Sequence, residues 1–454
     1  MQVVPHNLEG YNLLHNGSLA FAEMERNGFN IDREYLSEAI RRVDARAAYL
    51  AGEMRKTDMY KLWRRVFGQS LNLSSKNQLG ELLFKKMGYI PVAFTKTGRP
   101  KTDAAALSHI KDQPLLEYYA EAEKLKKLSG TFLSGIQNNI SPDGRLRAFF
   151  NLNLAATYRS SSQDPNGQNM PIRDPLQGKI IRRAFIPSEG HRLVEIDYSS
   201  VEVRVAAAYH RDPQMLTYLT DPNSDMHRDT AADVFMLSPD KITKKMRHIG
   251  KTVVFASFFG DYYVGLAKQA WTMMMRDTPE LIDHLKTCGI MGLGDCDPQK
   301  PPAPATFEKH MQKVENQMWE ERFPVYNQWR KDRYRDYCNN GWFNNFTGFT
   351  FSGVLRRNVV INSPVQSSAF HCTLRSIIRL TELLRGTGAK IVSTIHDSII
   401  LDVPECGFDD IIELCLYTMT TELKREWTWL DGIPIDAEPE ACEVGESWYD
   451  KKEI

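Results

Sequence analysis

Two aspartates lie in apolar, strand-like surroundings at distant points of the chain. Asp197 directly follows the run Leu193-Val-Glu-Ile, and Asp397 lies between two β-type runs, residues 390–395 and 398–403. Such an aspartate is usually a turn former or a helix cap. Two carboxylates that converged without a basic partner in their local sequence would repel each other unless cations lay between them. Two divalent cations ~3.5–4 Å apart are the usual clamp for in-line phosphoryl transfer, so the pair indicates that chemistry.

A stripe of cations and aromatic rings occurs in residues 241–269, which have the spacing of one long helix. Arg247, Lys251, Phe255 and Phe259 recur every four residues, so two cations precede two rings along one slowly drifting face. Cations near the start of a helix suit a triphosphate, because side-chain charge and helix dipole both attract it. Aromatic rings suit stacking on a base. The alternative is an ordinary amphipathic helix, and the two aspartates favour the nucleotide site over it.

The composition is that of a globular protein. The chain has 454 residues, of which 42% are hydrophobic and 25% charged, and this excludes a mainly disordered chain. No uncharged apolar stretch approaches the ~18 residues of a membrane span, and residues 1–6 do not have the pattern of a signal or transit peptide. The seven cysteines include no CxxC pair, which favours free thiols in a reducing cytosol. We therefore expect a cytoplasmic protein without a membrane partner.

Helical and strand-like segments must position these groups. The first 155 residues have mainly helical spacing, and residues 192–196 predict a short strand followed by a helix over 199–210. Residues 390–403 predict a hairpin with Asp397 at its turn. No regular βαβ period is present, so the pattern predicts an α+β core with helical lobes.

Five segments stand in an informative order along the chain. They are residues 158–171 (YRSSSQDPNGQNMP), 193–204 (LVEIDYSSVEVR), 246–260 (MRHIGKTVVFASFFG), 361–366 (INSPVQ) and 395–403 (IHDSIILDV). Together they resemble the motifs of family A DNA polymerases, the bacterial DNA polymerase I group. Thumb-like segments such as residues 24–32 extend the resemblance over nearly the whole chain.

The resemblance implies a right-hand polymerase fold, with a palm formed by an antiparallel sheet and mainly helical fingers and thumb. The implied divisions are a thumb with the start of the palm at 1–140, a first palm segment at 141–212, fingers at 213–362 and a second palm segment at 363–454. Residues 271–305 look like an insertion in the fingers, which we expect to be a solvated loop. Because thumb-like segments begin so early, we expect no 3′→5′ proofreading domain.

The resemblance also implies the site. Asp197 and Asp397 would hold two Mg²⁺ ions, which Mn²⁺ can replace, with the Tyr198 region adding a backbone carbonyl. Residues implied to bind the incoming nucleotide are Arg247, Lys251, Phe255, Phe259, His227 and Glu202, the last by closing the space where a ribose 2′-hydroxyl would lie. Residues implied to contact DNA are Arg159, Gln366, His396, Asn362, Asn166 and Gln168.

Four positions depart from the family pattern. Phe259 stands where the family usually has Tyr, Ser398 where a Glu follows the third-motif Asp, and Val254 and Ala256 where Asn and Gly are usual. Phe259 keeps the stacking surface and loses a hydroxyl. Ser398 removes an auxiliary carboxylate, but both aspartates remain, so we still expect activity.

The function that follows is template-directed extension of a primer 3′ end with dNTPs, by a monomer in a bacterial or phage-infected cell. Its expected partners are primer–template DNA and dNTPs, with a separate nuclease or processivity factor as a protein partner. A single-subunit RNA polymerase is one alternative, against which Glu202 argues. A catalytically silent primer–template binding protein is another, and Asp197, Asp397, Arg247 and Lys251 argue against it, because binding alone does not need them all.

Overall fold

The structure is a computed structural model that describes residues 5–92, 94–95, 97–107, 110–171 and 174–454. It combines many helices with strands that pair antiparallel, which confirms the predicted α+β class. The α-helices are α1 (Leu8–Asn27), α2 (Arg33–Lys56), α3 (Asp58–Phe67), α4 (Lys76–Gly80), α5 (Ala104–Leu107), α6 (Pro114–Lys127), α7 (Ser134–Asn139), α8 (Pro175–Arg182), α9 (Val201–His210), α10 (Pro213–Thr220), α11 (Met226–Phe235), α12 (Lys244–Phe258), α13 (Tyr263–Asp277), α14 (Glu280–Thr287), α15 (Phe307–Gln317), α16 (Pro324–Asn340), α17 (Arg357–Leu383), α18 (Phe408–Tyr417) and α19 (Leu423–Glu426). The strands are β1 (Phe29–Ile31), β2 (Arg145–Leu146), β3 (Phe149–Asn151), β4 (Ser161–Gln163), β5 (Phe185–Ile186), β6 (His191–Tyr198), β7 (Trp342–Asn344), β8 (Thr350–Ser352), β9 (Lys390–Ile395), β10 (Ser398–Pro404), β11 (Ala437–Ala441) and β12 (Lys452–Glu453). Short 3₁₀ segments lie at Gly68–Ser70, Gly167–Asn169, Pro239–Lys241, Thr428–Leu430 and Trp448–Asp450, and π-type turns at Glu81–Lys86, Leu128–Leu133, Met318–Arg322 and Thr418–Glu422.

A five-stranded antiparallel sheet in the order β12–β11–β6–β10–β9 lies at the centre of the fold. The strand predicted over 192–196 is confirmed as β6, but it continues through Asp197 to Tyr198. The hairpin predicted over 390–403 is confirmed as β9 and β10, with Asp397 in the turn between them. Since β6 and β10 are neighbours, the sheet brings the two segments that carry the aspartates together.

One face of β6 is buried in the largest hydrophobic core. Val194 and Ile196 point into it and are fully buried, and helix α17 forms much of the core on this side. Tyr198 ends this face. Its hydroxyl donates to the Met419 carbonyl and bonds with the Ser376 hydroxyl, each at 2.8 Å. These contacts hold the end of β6 in place next to the aspartates.

The opposite face of β6 carries Leu193, Glu195 and Asp197, because successive strand residues alternate between faces. Leu193 packs into a second core that contains Trp448 and Phe185. The polar side chains at the end of this face are therefore supported by an apolar base.

The N-terminal helices α2, α3, α4 and α6 form a lobe with its own core, in which Trp63, Leu79 and Leu115 are fully buried. The mainly helical character expected for this part of the chain is confirmed. The N-terminus of α2 is capped by the residue directly before it. The Asp32 side chain accepts a hydrogen bond from the backbone N–H of Tyr35 at 2.8 Å.

The helix predicted over 241–269 is wrong in its extent. Helix α12 ends at Phe258, and α13 starts at Tyr263 after Gly260, whose φ of +90° lies in the region that glycine tolerates best. Helix α12 packs closely on α11 because position 250 is glycine: a Cβ there would lie 2.3 Å from the His227 carbonyl oxygen.

The solvated loop expected at 271–305 is wrong for the first half of this segment. Helix α13 continues to Asp277, α14 follows at Glu280–Thr287, and apolar side chains of the segment enter a core with α11 and α12. Leu281 and Leu285, one helical turn apart, are both buried. Residues 271–287 are thus a packed helical part of the lobe, whereas 288–305 contain no helix or strand and are mostly exposed.

In the described part of the chain, no helix combines the length and the apolar character needed to cross a bilayer. All seven cysteines are free thiols, as the sequence predicts.

Candidate active site

Asp197 and Asp397 meet at one end of the central sheet. The ladder between β6 and β10 pairs Asp197 with Ser398, directly after Asp397. The backbone N–H of Tyr198 also donates to the Asp397 carbonyl oxygen at 3.4 Å. A cavity of about 280 Å³, here called the acidic cleft, opens at this point and is lined by Glu195, Asp197, Tyr198, Ser200, Val201, Glu202, Val203, Phe255, Ile395, His396, Asp397 and Ser398.

The two aspartates disfavour each other's charge. Desolvation in the cleft, then the Asp397 and Glu195 carboxylates, raise the pKa of Asp197 to about 7, although its side chain still reaches solvent. Burial likewise raises the pKa of Asp397, which Arg159 and His396 oppose. A cation between the carboxylates would remove this repulsion.

The two carboxylates suit a hard divalent cation whose remaining ligands are water and substrate oxygens. Among the described residues, no group of three or more His, Cys, Asp or Glu side chains could hold a metal by itself. Mg²⁺ is commonly bound through one or two carboxylates, with water and substrate phosphate oxygens completing the octahedron. Asp197 and Asp397 supply two such carboxylates at the cleft.

A buried ion-pair network surrounds Glu195, two residues before Asp197 on β6. The Glu195 carboxylate, on the same face of β6, lies 2.6 Å from Lys451 Nζ and accepts a hydrogen bond from Trp448 Nε1 at 2.9 Å. Arg182 Nη1 is 3.7 Å from the same carboxylate. These residues were not predicted from the sequence. The signal that could have indicated Glu195 is the two-residue spacing from Asp197, which places both side chains on one face.

The neighbours of Asp197 across the sheet differ in charge. Ser398 is buried and donates its hydroxyl to the Ile395 carbonyl at 3.0 Å, so no carboxylate enters from β10. On the other side, Glu438 of β11 pairs directly with Asp197 and accepts a hydrogen bond from the Ser199 hydroxyl at 2.6 Å. A carboxylate therefore stands beside Asp197 on β11, a position that sequence analysis did not identify.

The cations and rings of α12 face α11, as one cluster. Asp225 is the N-cap residue of α11, and its Oδ2 lies 2.6 Å from Arg247 Nε. On α12 itself, Lys251 Nζ lies 5.7 Å from the centre of the Phe255 ring. The Phe255 ring is 5.7 Å from His227. Desolvation, with Arg247 and Lys251 nearby, lowers the pKa of His227 to about 4, so this imidazole is neutral at pH 7.

Phe259 caps α12 instead of lying within it, but its ring still stacks with Phe255 at 6.4 Å. Its carbonyl accepts a hydrogen bond from Asn362 Nδ2 at 2.7 Å. Beside it is an almost wholly apolar recess, here called the apolar pocket, lined by Glu202, Val203, Ala206, Phe255, Phe258, Phe259, Tyr326, Asn362, Val365 and Gln366. Two residues expected to contact DNA, Asn362 and Gln366, therefore lie next to Phe255 and Phe259 of the α12 cluster.

The remaining residues expected to contact DNA are spread around the cleft. Arg159 forms an ion pair with Glu202, and His396 is exposed beside Asp397. Gln168 donates to the Ser160 hydroxyl at 2.7 Å, and Asn166 is exposed at the surface. His396 lines the acidic cleft, whereas Asn166 and Gln168 do not. Arg159 is not part of the lining either, but its ion pair with Glu202 places it next to the cleft.

Comparison with known proteins gives a consistent result. The model of a family described as DNA polymerase family A matches residues 45–450. The thermostable DNA polymerase I of Thermus thermophilus is 27% identical over 450 residues, covering 96% of this chain and 48% of that protein. The DNA polymerase I of Bacillus subtilis (strain 168) is 28% identical over 440 residues, covering 96% and 45%. The chain thus spans about half the length of the curated relatives it matches.

The fold also matches a solved structure. The polymerase domain of Pol1 from M. smegmatis, in complex with DNA primer-template and dNTP, superposes with a TM-score of 0.73 at 24% identity, covering 96% of this chain and 70% of that one. This likeness shows the fold, which is the right-hand polymerase fold predicted from the motifs. Since the family model covers most of the sequence, the chain belongs to DNA polymerase family A.

Proposed function

We propose that the chain is a template-directed DNA polymerase that extends a primer 3′ end with dNTPs. The observation that carries the proposal is the meeting of Asp197 and Asp397 in one cleft, with Phe255 of the basic and aromatic helix α12 in its lining. A binding protein would gain nothing from two carboxylates that repel each other. An enzyme that transfers a nucleotidyl group needs them for metal ions.

The proposal divides the chain into functional regions. Residues 1–140 act as the thumb and contain the start of the palm, and 213–362 act as the fingers. Residues 141–212 and 363–454 supply the two main segments of the palm. The strand order supports this division, because β6 comes from the first palm segment and its neighbours β10 and β11 come from the second.

Asp197 and Asp397 would hold two Mg²⁺ ions, with the Tyr198 backbone nearby, and Mn²⁺ could replace them. When bound, the ions supply charge stabilisation for in-line attack of the primer 3′ oxygen on the α-phosphorus, with pyrophosphate as leaving group. The carboxylates orient the reacting groups, and Glu195 with Lys451 keeps the end of β6 fixed.

The α12 cluster would bind the nucleotide. Arg247 and Lys251 attract the triphosphate, and charge-assisted contacts strengthen as charge develops in the transition state. The Phe255 ring packs on the sugar and base, and neutral His227 can donate one hydrogen bond without adding charge. Arg247 must then leave its ion pair with Asp225 to bind the phosphates. In the free enzyme, Asp225 would therefore neutralise Arg247 until a nucleotide binds.

Glu202 is proposed to exclude ribonucleotides, and Arg159, His396 and Gln366 to contact the primer–template. The proposal assigns no 3′→5′ exonuclease to this chain.

The test is extension of a labelled primer on a template, with Mg²⁺ and either dNTPs or rNTPs. We expect template-matched extension with dNTPs and very little with rNTPs. Preferred use of rNTPs would identify an RNA polymerase, and primer–template binding without extension would identify a silent binding protein. Omission of the divalent cation is the control and should stop extension.

A further inference from the structure

We infer that Arg159 is a positioning residue for sugar selection: it holds the Glu202 carboxylate at the wall of the nucleotide pocket. The inference rests on the proposed polymerase function and goes beyond it, because Arg159 would otherwise contact only DNA. It follows from the surroundings of Glu202, from those of Arg159, and from the anchoring of the segment before Arg159.

Glu202 stands where two cavities meet. It lies in the first turn of α9 and lines both the acidic cleft and the apolar pocket. Its side chain is only 17% exposed, and Arg159 is the cationic side chain within ion-pair distance of it among the described residues. A carboxylate at such a place is stable there only if it is paired, because desolvation penalises an unpaired charge.

The lining of the apolar pocket offers Glu202 no second cation. Val203, Ala206 and Phe258 are apolar, and the polar side chains of the lining, Tyr326, Asn362 and Gln366, are uncharged. Without Arg159, the carboxylate would turn toward the solvent of the cleft or take up a proton. Either change would open the space that Glu202 is proposed to deny to a 2′-hydroxyl.

Arg159 is in turn held by a rigid anchor. Tyr158, directly before it, has a φ of +55° and a ring packed 5.1 Å from Phe349 and 4.6 Å from Phe351. The Tyr158 carbonyl accepts a hydrogen bond from Nε2–H of the buried His371 at 3.1 Å. This fixes the backbone from which the guanidinium reaches Glu202.

Arg159 also faces the catalytic carboxylate. Burial lowers the pKa of Arg159, the Asp397 charge opposes that shift, and Arg159 in turn opposes the rise in the pKa of Asp397. One guanidinium thus links the proposed sugar gate to the proposed metal site, so its loss should alter which sugar is accepted as well as the rate.

The experiment measures kcat/KM for one dNTP and the matching rNTP in single-nucleotide incorporation. The proteins are wild type, Arg159→Ala, Arg159→Lys, Glu202→Ala and the double variant Arg159→Ala/Glu202→Ala. We expect the dNTP/rNTP ratio to fall about tenfold in both alanine variants, the size of a lost charge-assisted contact. The double variant should fall no further than Glu202→Ala, and Arg159→Lys should restore most of the ratio.

If Arg159 only binds DNA, Arg159→Ala will lower kcat/KM equally for dNTP and rNTP and leave their ratio within about twofold of wild type. That result would overturn the inference. It would also be overturned if the losses of the two single variants multiplied in the double variant. Thermal unfolding and primer–template affinity are measured in parallel. If Arg159→Ala does not fold, Arg159→Gln replaces it with the same expected loss. Failure of wild type to incorporate any dNTP would instead refute the proposed function.

Discussion

Lys451→Met removes the cation that pairs with Glu195 of strand β6 and leaves a side chain of similar length. The Lys451 and Glu195 side chains are only 13% and 9% exposed, and their charged atoms are 2.6 Å apart. Removing one partner of a buried ion pair costs ~3–5 kcal/mol, because the other charge stays buried. Arg182 remains 3.7 Å from Glu195. We therefore expect the lower end, a loss of about 3 kcal/mol in the free energy of unfolding.

Chemical denaturation of the metal-free protein measures this loss. Lys452→Met is the matched control, since Lys452 is the next residue and is exposed, and it should change stability by less than ~0.5 kcal/mol. The double variant Glu195→Gln/Lys451→Met should recover part of the loss, because it removes the unpaired Glu195 carboxylate, although Arg182 then loses its nearest carboxylate. The reasoning is refuted if Lys451→Met is as stable as Lys452→Met, or if the double variant is as unstable as Lys451→Met.

The same substitution should shift the pH dependence of catalysis. Lys451 opposes the rise in the pKa of Asp197, so its removal should raise that pKa further. Asp197 must be ionised to hold a cation, and the acid limb of kcat/KM should therefore move to higher pH in Lys451→Met. The limb should stay in place in Lys452→Met.

Three further predictions concern the cleft and the α12 helix. The pKa of Asp197 is about 7 in the folded chain and about 4 when unfolded, so its contribution to stability is present at low pH and is lost as pH rises through that window. Asp197→Asn should thus match wild type at pH 4 and exceed it at pH 8 in thermal unfolding without divalent cations. Gly250→Ala would place a Cβ 2.3 Å from the His227 carbonyl. It should lower the free energy of unfolding by ~1–3 kcal/mol and raise the KM for dNTP. Gly52→Ala, with open space around it, is the control and should not destabilise the protein. Phe255→Tyr adds a hydroxyl at the position proposed for the nucleotide sugar. It should increase ddNTP incorporation relative to dNTP, measured as the ratio of kcat/KM values.

Local patterns predicted much of this architecture. The alternating apolar run before Asp197 and the paired β-type runs around Asp397 were sufficient to predict both strands and their hairpin. Their convergence was a hypothesis, because local patterns do not show which strands pair; the ladder between β6 and β10 brings the two segments together. The four-residue stripe of α12 correctly grouped Arg247, Lys251 and Phe255, since they share one helix face.

Long-range contacts were not predictable in the same way. Glu195 and Lys451 meet only because β6 and the C-terminal segment fold together, and no local spacing indicates that. The ion pair of Arg159 with Glu202 depends on a backbone position set by Tyr158. Helix α12 ends early because Gly260 adopts a positive φ, a choice that periodicity alone does not show.

Primer extension by Asp197→Ala and Asp397→Ala tests the central claim most directly. Single-turnover rates with Mg²⁺ are compared with primer–template affinity, and Asp283→Ala, whose side chain is 78% exposed on α14, is the matched control. Both site variants should lose extension while binding primer–template nearly as wild type, and the control should be unchanged. Retention of more than roughly a tenth of the wild-type rate, a barrier change of only ~1.4 kcal/mol, in either variant would contradict the assignment of the two aspartates as the metal-binding pair.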